Sequence, residues 1–175
     1  MALDYANIQE RVQAQFGESV NAFTLVHDML QWEVSPAQSH ALIQFLKEDP
    51  QMRFNFLTDV CGMHFPDEQA DRQFAVVYHM HNWLDNVRIR IKCFLPAENP
   101  TIDTVSDLFA SANWQERETY DFFGIIFAGH PQLKRILNMD EMVSFPLRKE
   151  FPLEDGGRTD KDDRFFGRTT DNVTI

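Results

Sequence analysis

The chain has 175 residues, 43% of them hydrophobic and 25% charged, which suits one globular domain with its own core. Its formal net charge of −11 argues against nucleic acid or anionic lipid as a direct partner, since either needs a basic field. No apolar run reaches bilayer-spanning length, and the opening Met1-Ala2-Leu3-Asp4-Tyr5-Ala6 shows neither the basic nor the apolar region of a secretory signal.

Ile8, Val12 and Phe16 recur every fourth residue, predicting an amphipathic helix that ends near Gly17. Residues 22–34 mix apolar and polar side chains and hold one or two short strands. Ser35-Pro36-Ala37-Gln38 reads as a helix start, with serine as cap, proline in the first turn and glutamine reaching back. Ala41, Leu42, Phe45 and Leu46 supply that helix's buried face, and Pro50 stops it. The period then changes. Phe54, Phe56, Thr58 and Val60 alternate as in a strand that breaks at Cys61-Gly62, and Phe74, Val76, Tyr78 and Met80 alternate again. After a turn at Asp85-Asn86, Val87, Ile89, Ile91 and Cys93 line one strand face and Arg88, Arg90 and Lys92 the other, so the last two strands form an antiparallel hairpin. Pro96 and Pro100 bracket a loop before a short helix through Val105, Leu108 and Phe109.

Residues 114–137 are the most informative part of the chain. Asn113 or Ser111 is placed to cap a helix with Glu116 and Glu118 in its first turn, where the positive helix end favours carboxylates. Arg117 and Asp121, four apart, are placed to pair on one face. Gly124 ends the helix, Ile125-Ile126-Phe127 is a short buried run, and Gly129-His130-Pro131 turns the chain before a basic segment. The fold class is therefore α+β: an antiparallel or mixed sheet with helices mainly on one face, spanning residues 1–150 as a single domain. Residues 151–175, rich in charge and glycine, read as an extended partner-binding tail with Phe151, Leu153, Phe165 and Phe166 as anchors. The 16 phenylalanines suggest a filled core plus some contact surface.

The ordered run Trp114, Glu116, Arg117, Glu118, Asp121, Phe122, Phe123, Gly124, Ile125, Gly129, His130, Pro131, Lys134, Arg135, Ile136 and Leu137 resembles the signature of the C-subunit family of respiratory complex I, the NADH:quinone oxidoreductase. A second family element, Gly-His-Pro-Leu-Arg-Lys-Asp-aromatic-Pro, is matched by Ser144-Phe145-Pro146-Leu147-Arg148-Lys149-Glu150-Phe151-Pro152, with Ser144, Phe145 and Glu150 departing from it. The resemblance covers residues 101–152 most closely. It implies a structural and assembly subunit without cofactors in the complex's hydrophilic arm, peripheral on the cytoplasmic side of the cell membrane. Iron–sulfur clusters, FMN, NADH and quinone would belong to neighbouring subunits. The expected partners are the quinone-site (D-type) and terminal iron–sulfur (B-type) subunits. The interface residues it implies are Trp114, Glu116, Arg117, Glu118, Asp121, Gly124, His130, Pro131, Arg135, Pro146, Leu147, Arg148, Lys149, Phe151 and Pro152. A related hydrogenase, or an assembly with another electron donor, contains similar subunits.

No cofactor motif competes with this reading. Cys61 and Cys93 form no Cys-x-x-Cys pair and read as two buried thiols. His79 and His81 share a strand face without an evident third ligand. Glu116, Glu118, Asp121 and His130 would serve as a metal or acid–base site only if they converged, and helix-end acids, an Arg117–Asp121 pair and bridges to Arg135 or to a partner's basic residues explain them more simply. The remaining enzymatic alternative is a free-standing metal-dependent site built from Glu118, Asp121 and His130.

Overall fold

The computed structural model describes residues 3–20 and 22–151. The tail expectation therefore lies, apart from Phe151, outside the described residues. Helix α1 (Tyr5–Phe16) starts where the Asp4 side chain accepts a bond from the Asn7 amide and buries Ile8 and Val12. Strands β1 (Ala22–Val26) and β2 (Met29–Glu33) follow as a tight hairpin. Helix α2 (Pro36–Glu48) has Ser35 at its N-cap with Pro36 just inside, but no side-chain bond closes the cap. Its buried face is Ser39, Leu42, Ile43 and Leu46, while Ala41 points outward because it falls on the opposite side of the helix from that stripe.

Strand β3 (Phe56–His64) runs straight through Cys61-Gly62, against the expected break there. An irregularity between Leu57 and Asp59 shifts the register, so Leu57 and Val60 are the buried hydrophobic residues of the strand and Phe56 is exposed. Strands β4 (Phe74–Asn82) and β5 (Val87–Leu95) form the expected antiparallel hairpin, with the alternation of β5 intact. The expected short helix near Val105 is a single turn, in which the Leu108 and Phe109 amides both bond the Val105 carbonyl.

The main sheet is mixed, in the order β1-β2-β5-β4-β3, and only β2 against β5 is parallel. Strands β6 (Thr101–Asp103) and β7 (Ile126–Ala128) form a separate parallel pair on either side of helix α3 (Ala112–Phe123). Register rows place Ile91, Tyr78 and Val60 on one face of the main sheet and Lys92, Val77 and Cys61 on the other. Helix α2 packs against β5, and α3 packs against β3, both on the Tyr78 side. The core between these layers contains Trp32, Leu42, Ile43, Phe54, Tyr78, Ile91, Val105 and Phe127. Gly62 is the closest approach: an added Cβ would lie 2.6 Å from the Phe123 ring and 2.9 Å from the Thr119 methyl. Glycine at this position lets α3 lie on β3, which is why the strand needs no break there.

Candidate docking site around the third helix

Ser111 stands at the N-cap of α3 without a side-chain cap bond, and Asn113 already lies inside the helix. The first turn holds no acid; Glu116 comes later and faces inward, fully buried. Its Oε2 accepts from the Thr104 hydroxyl at 2.5 Å and its Oε1 from the Val105 amide at 2.8 Å, so it fastens the β6 exit to the helix. Burial pushes its pKa up to about 7, because only a hydroxyl and one amide oppose the cost of a buried charge. His130 Nε2 lies 4.0 Å from that carboxylate, too far for a hydrogen bond. The ring instead accepts the Gln132 amide at Nδ1, so its proton sits on Nε2 and bonds the Asn113 carbonyl at 3.1 Å. It is the turn histidine its position suggests, clamping the 129–132 turn to the start of α3.

Asp121, one helical face away, is also fully buried but saturated with donors. Oδ2 accepts the amides of Ile136, Leu137 and Asn138 at 3.0, 2.8 and 2.9 Å, and Oδ1 takes Arg135 Nη1 at 2.7 Å. Burial alone would raise its pKa, but the three amides and the guanidinium reverse this and hold it far below the usual carboxylate range. The expected Arg117–Asp121 pair does not form. Arg117 turns to the Lys134 and Arg135 carbonyls, both at 3.1 Å, and lies over the Trp114 ring. Arg135 wins Asp121 because the chain after Pro131 folds back along the helix and delivers a guanidinium together with three free amides. Local spacing along the helix offers only the guanidinium of Arg117.

The second signature element closes over the helix end. Gly124 caps α3 in the left-handed region at φ 74°, with the Arg148 guanidinium and the Phe145 ring each 2.6 Å from where a Cβ would be. Arg148 Nε donates to the Phe123 carbonyl at 2.8 Å, and its guanidinium lies over Phe74 and Phe145. Phe145, at the place of the family's histidine, is flanked by Arg135 and Arg148 and meets Tyr120 edge-on. Ser144 contributes only its carbonyl, to Arg135 Nη2. His64, stacked on Phe74, accepts the Lys149 amide and ties the segment to β3.

The signature residues therefore divide in two. Glu116, Arg117, Asp121, Gly124 and Arg135 are buried and act inside the chain, and Arg148 is largely occupied there too. Trp114, Glu118, Pro131, Leu147, Lys149 and Phe151 are exposed, with His130 and Pro146 between these extremes. Pro152 lies outside the described residues. Sequence reasoning reached Leu137, 64% exposed at the end of the signature run, but missed the two most exposed large apolar side chains among the described residues, Met139 at 74% and Val143 at 93%. The available signal was an apolar set in a stretch without helical or strand period. Glu118, Asp121 and His130 do not converge, and no group of three His, Cys, Asp or Glu side chains among the described residues is placed to hold a metal. Cys93 is buried and pushed up to about 12 by desolvation; Cys61 is half-buried and pushed up to about 11 for the same reason. His81 is buried, whereas His79 is half-buried and accepts from Arg90 Nε. No described helix is long and apolar enough to cross a membrane.

Residues 32–156 match the family described as the respiratory-chain NADH dehydrogenase 30 kDa subunit. The NADH-quinone oxidoreductase C-subunit of Roseiflexus sp. (strain RS-1) is 37% identical over 168 residues, covering 95% of each chain. The NADH-quinone oxidoreductase C-subunit 2 of Rhizobium etli (strain CIAT 652) is 40% identical over 153 residues, 87% of this chain and 78% of that one. Among solved structures, the trypsin-resistant fragment (1-134) of Nqo5 superposes with a TM-score of 0.61 at 32% identity, over 73% of this chain and 98% of the fragment. A chain of the membrane-bound sulfane sulfur reductase, an archaeal respiratory membrane complex, shares the fold with a TM-score of 0.70 at 21% identity, over 85% of both chains. The family match over most of the domain, together with relatives similar along nearly the whole chain, shows that the chain belongs to the 30 kDa subunit family of respiratory-chain NADH dehydrogenase, the C-subunit family of NADH-quinone oxidoreductase.

Proposed function

We propose that this chain is a cofactor-free structural and assembly subunit of the hydrophilic arm of a proton-translocating NADH:quinone oxidoreductase. In this role it sits on the cytoplasmic side of the cell membrane and braces the neighbours that carry the terminal iron–sulfur cluster and form the quinone site. One observation carries the reading. The buried Asp121–Arg135 hub fixes a segment without regular structure whose apolar side chains Leu137, Met139 and Val143 face outward, joined by Trp114, Leu147 and Phe151. Fixing exposed apolar side chains costs conformational entropy that isolated folding does not offset, whereas docking does. Reversing Arg148 would disturb the chain's own packing, so the exposed apolar residues and Lys149 give a cleaner test of docking.

The test is affinity recovery of the tagged full chain from mildly solubilised membranes, with mass spectrometry of what accompanies it. An iron–sulfur assembly that oxidises NADH with quinone is the expected result, and a Trp114→Ala/Val143→Asp chain should be recovered alone while remaining folded. Recovery of the unaltered chain by itself from an extract containing the intact complex would overturn the proposal. The fold also occurs in an archaeal respiratory complex named for a different reaction, so fold alone does not identify the electron donor. NADH-dependent quinone reduction is therefore the deciding readout, and nickel in the assembly would point to a hydrogenase.

A further inference from the structure

Both α2 and α3 lie on one face of the five-stranded sheet, and among the described residues no helix covers the other. That second face is laid out in rows by the strand register. Phe56, His81 and Arg88 form one row across β3, β4 and β5; Asp59, His79 and Arg90 form the next; Cys61, Val77 and Lys92 the third. Strand β2 adds Gln31 beside Arg90 and Glu33 beside Lys92. The central strand thus presents Arg88, Arg90 and Lys92 as a ridge of cations roughly 7 Å apart.

None of these three cations pairs with a carboxylate among the described residues. Arg90 directs its donors to His79 and Gln31. Lys92 lies over the Phe65 and Phe94 rings at 4.6 and 4.3 Å, and burial lowers its pKa. Glu33 is engaged by Arg72 at 2.6 Å, and Asp59 stands 4.0 Å from His79. Glu33 and Glu68 act on Lys92 and, with Asp71, on Arg72, so Arg88 and Arg90 are the ridge's cations without a carboxylate at ion-pair distance among the described residues, on a chain whose net charge is −11. At the Arg88 end the ridge runs into an aromatic corner, where Trp83 meets Phe56 edge-on and is 62% exposed. Arginine beside exposed aromatics is the composition of protein interface cores.

We infer that this uncovered sheet face docks an acidic polypeptide segment of a neighbouring subunit, its carboxylates along Arg88, Arg90 and Lys92 and an apolar side chain against Trp83 and Phe56. The chain's overall negative field opposes long polyanions such as nucleic acid, while a short acidic segment meets the local ridge without confronting the whole charge. The partner is held in place first by the segment around α3, so this inference rests on the proposed subunit role and adds a second contact face to it.

The experiment is acetylation footprinting of Lys92 in the isolated full chain and in the recovered complex, paired with zero-length carbodiimide coupling and peptide sequencing. Assembly should slow Lys92 acetylation by about tenfold, as at a water-excluding interface, and couple Lys92 to an Asp or Glu of another subunit. An unchanged rate in a complex that contains the chain would overturn the sheet-face inference alone, leaving the subunit role intact. Coupling only to carboxylates of this chain, Glu33 and Glu68 or those beyond residue 151, would overturn it equally. Absence of the chain from the complex would instead sink the subunit role.

Discussion

Asp121 and Glu116 lie on the same helix, both fully buried, and their environments drive them in opposite directions. Asp121 is met by a guanidinium and three amides and stays ionised; Glu116 is met by a hydroxyl and one amide and is pushed up to about 7. Burial is shared, so donor number and charge decide the outcome. The ionised acid organises a long returning segment. The near-neutral one fastens a local strand exit, and when protonated it is able to donate to Thr104, freeing that hydroxyl for Ser106.

The largest test of this contrast removes the anion. Asp121→Asn should cost the isolated chain about 3–5 kcal/mol in denaturant unfolding, because Arg135 and three amides lose their buried acceptor. Hydrogen-exchange protection at Ile136, Leu137 and Asn138 should fall with it. The Asp121 pKa in the folded chain lies below its ordinary value of 3.8. The stability it supplies is thus present above pH 3.8 and lost as pH falls through the folded value. The Asp121→Asn chain should lack that acid-sensitive component; an identical acid profile would refute the assignment.

A smaller effect is expected from moving both acids together. Gly62→Ala drives a Cβ into Phe123 and Thr119 and should cost about 1–3 kcal/mol, with the melting midpoint as readout. A neutral result would mean that α3 rides on β3 more loosely than the contact implies.

Glu116→Gln should change stability at pH 7 by less than about 1 kcal/mol, since the amide reproduces the neutral acid's shape and donor. The difference lies in the pH profile. A folded pKa of about 7 against an ordinary 4.5 means the wild-type chain is favoured most below pH 4.5 and loses that component as pH rises through 7. The variant should be flat over this window in pH-dependent melting. A wild-type slope of the opposite sign would show that Glu116 is held ionised like Asp121.

The smallest stability change belongs to the exposed set. Trp114→Ala should alter unfolding of the isolated chain by no more than about 0.5 kcal/mol yet weaken recovery of the assembly. Equal recovery would remove Trp114 from the docking surface.

Much of this arrangement was readable in the chain. The recurrence of Ile8, Val12 and Phe16 at every fourth position located α1, and the alternation of β4 and β5 located their hairpin and its two faces. Gly124 marked the end of α3, and the signature run marked the residues around it. Other features misled because neighbours in space overrode neighbours in sequence. Gly62 looked like a strand break and is the seat for Phe123. Phe54 and Phe56 looked like one face of a strand, until the register shift after Leu57 turned Phe56 outward. Arg117 looked like the partner of Asp121, and Arg135 took its place.

The sequence alone determined periods, helix ends, the hairpin and family membership, because each depends on residue type at short spacing. Tertiary structure alone decided the parallel pairing of β2 with β5, the partner of Asp121, which signature charges are internal, and which sheet face stays uncovered. Those outcomes depend on which distant donors and side chains arrive at a site together. Hydrogen-bond saturation and close packing are properties of such meetings, and no local pattern encodes them.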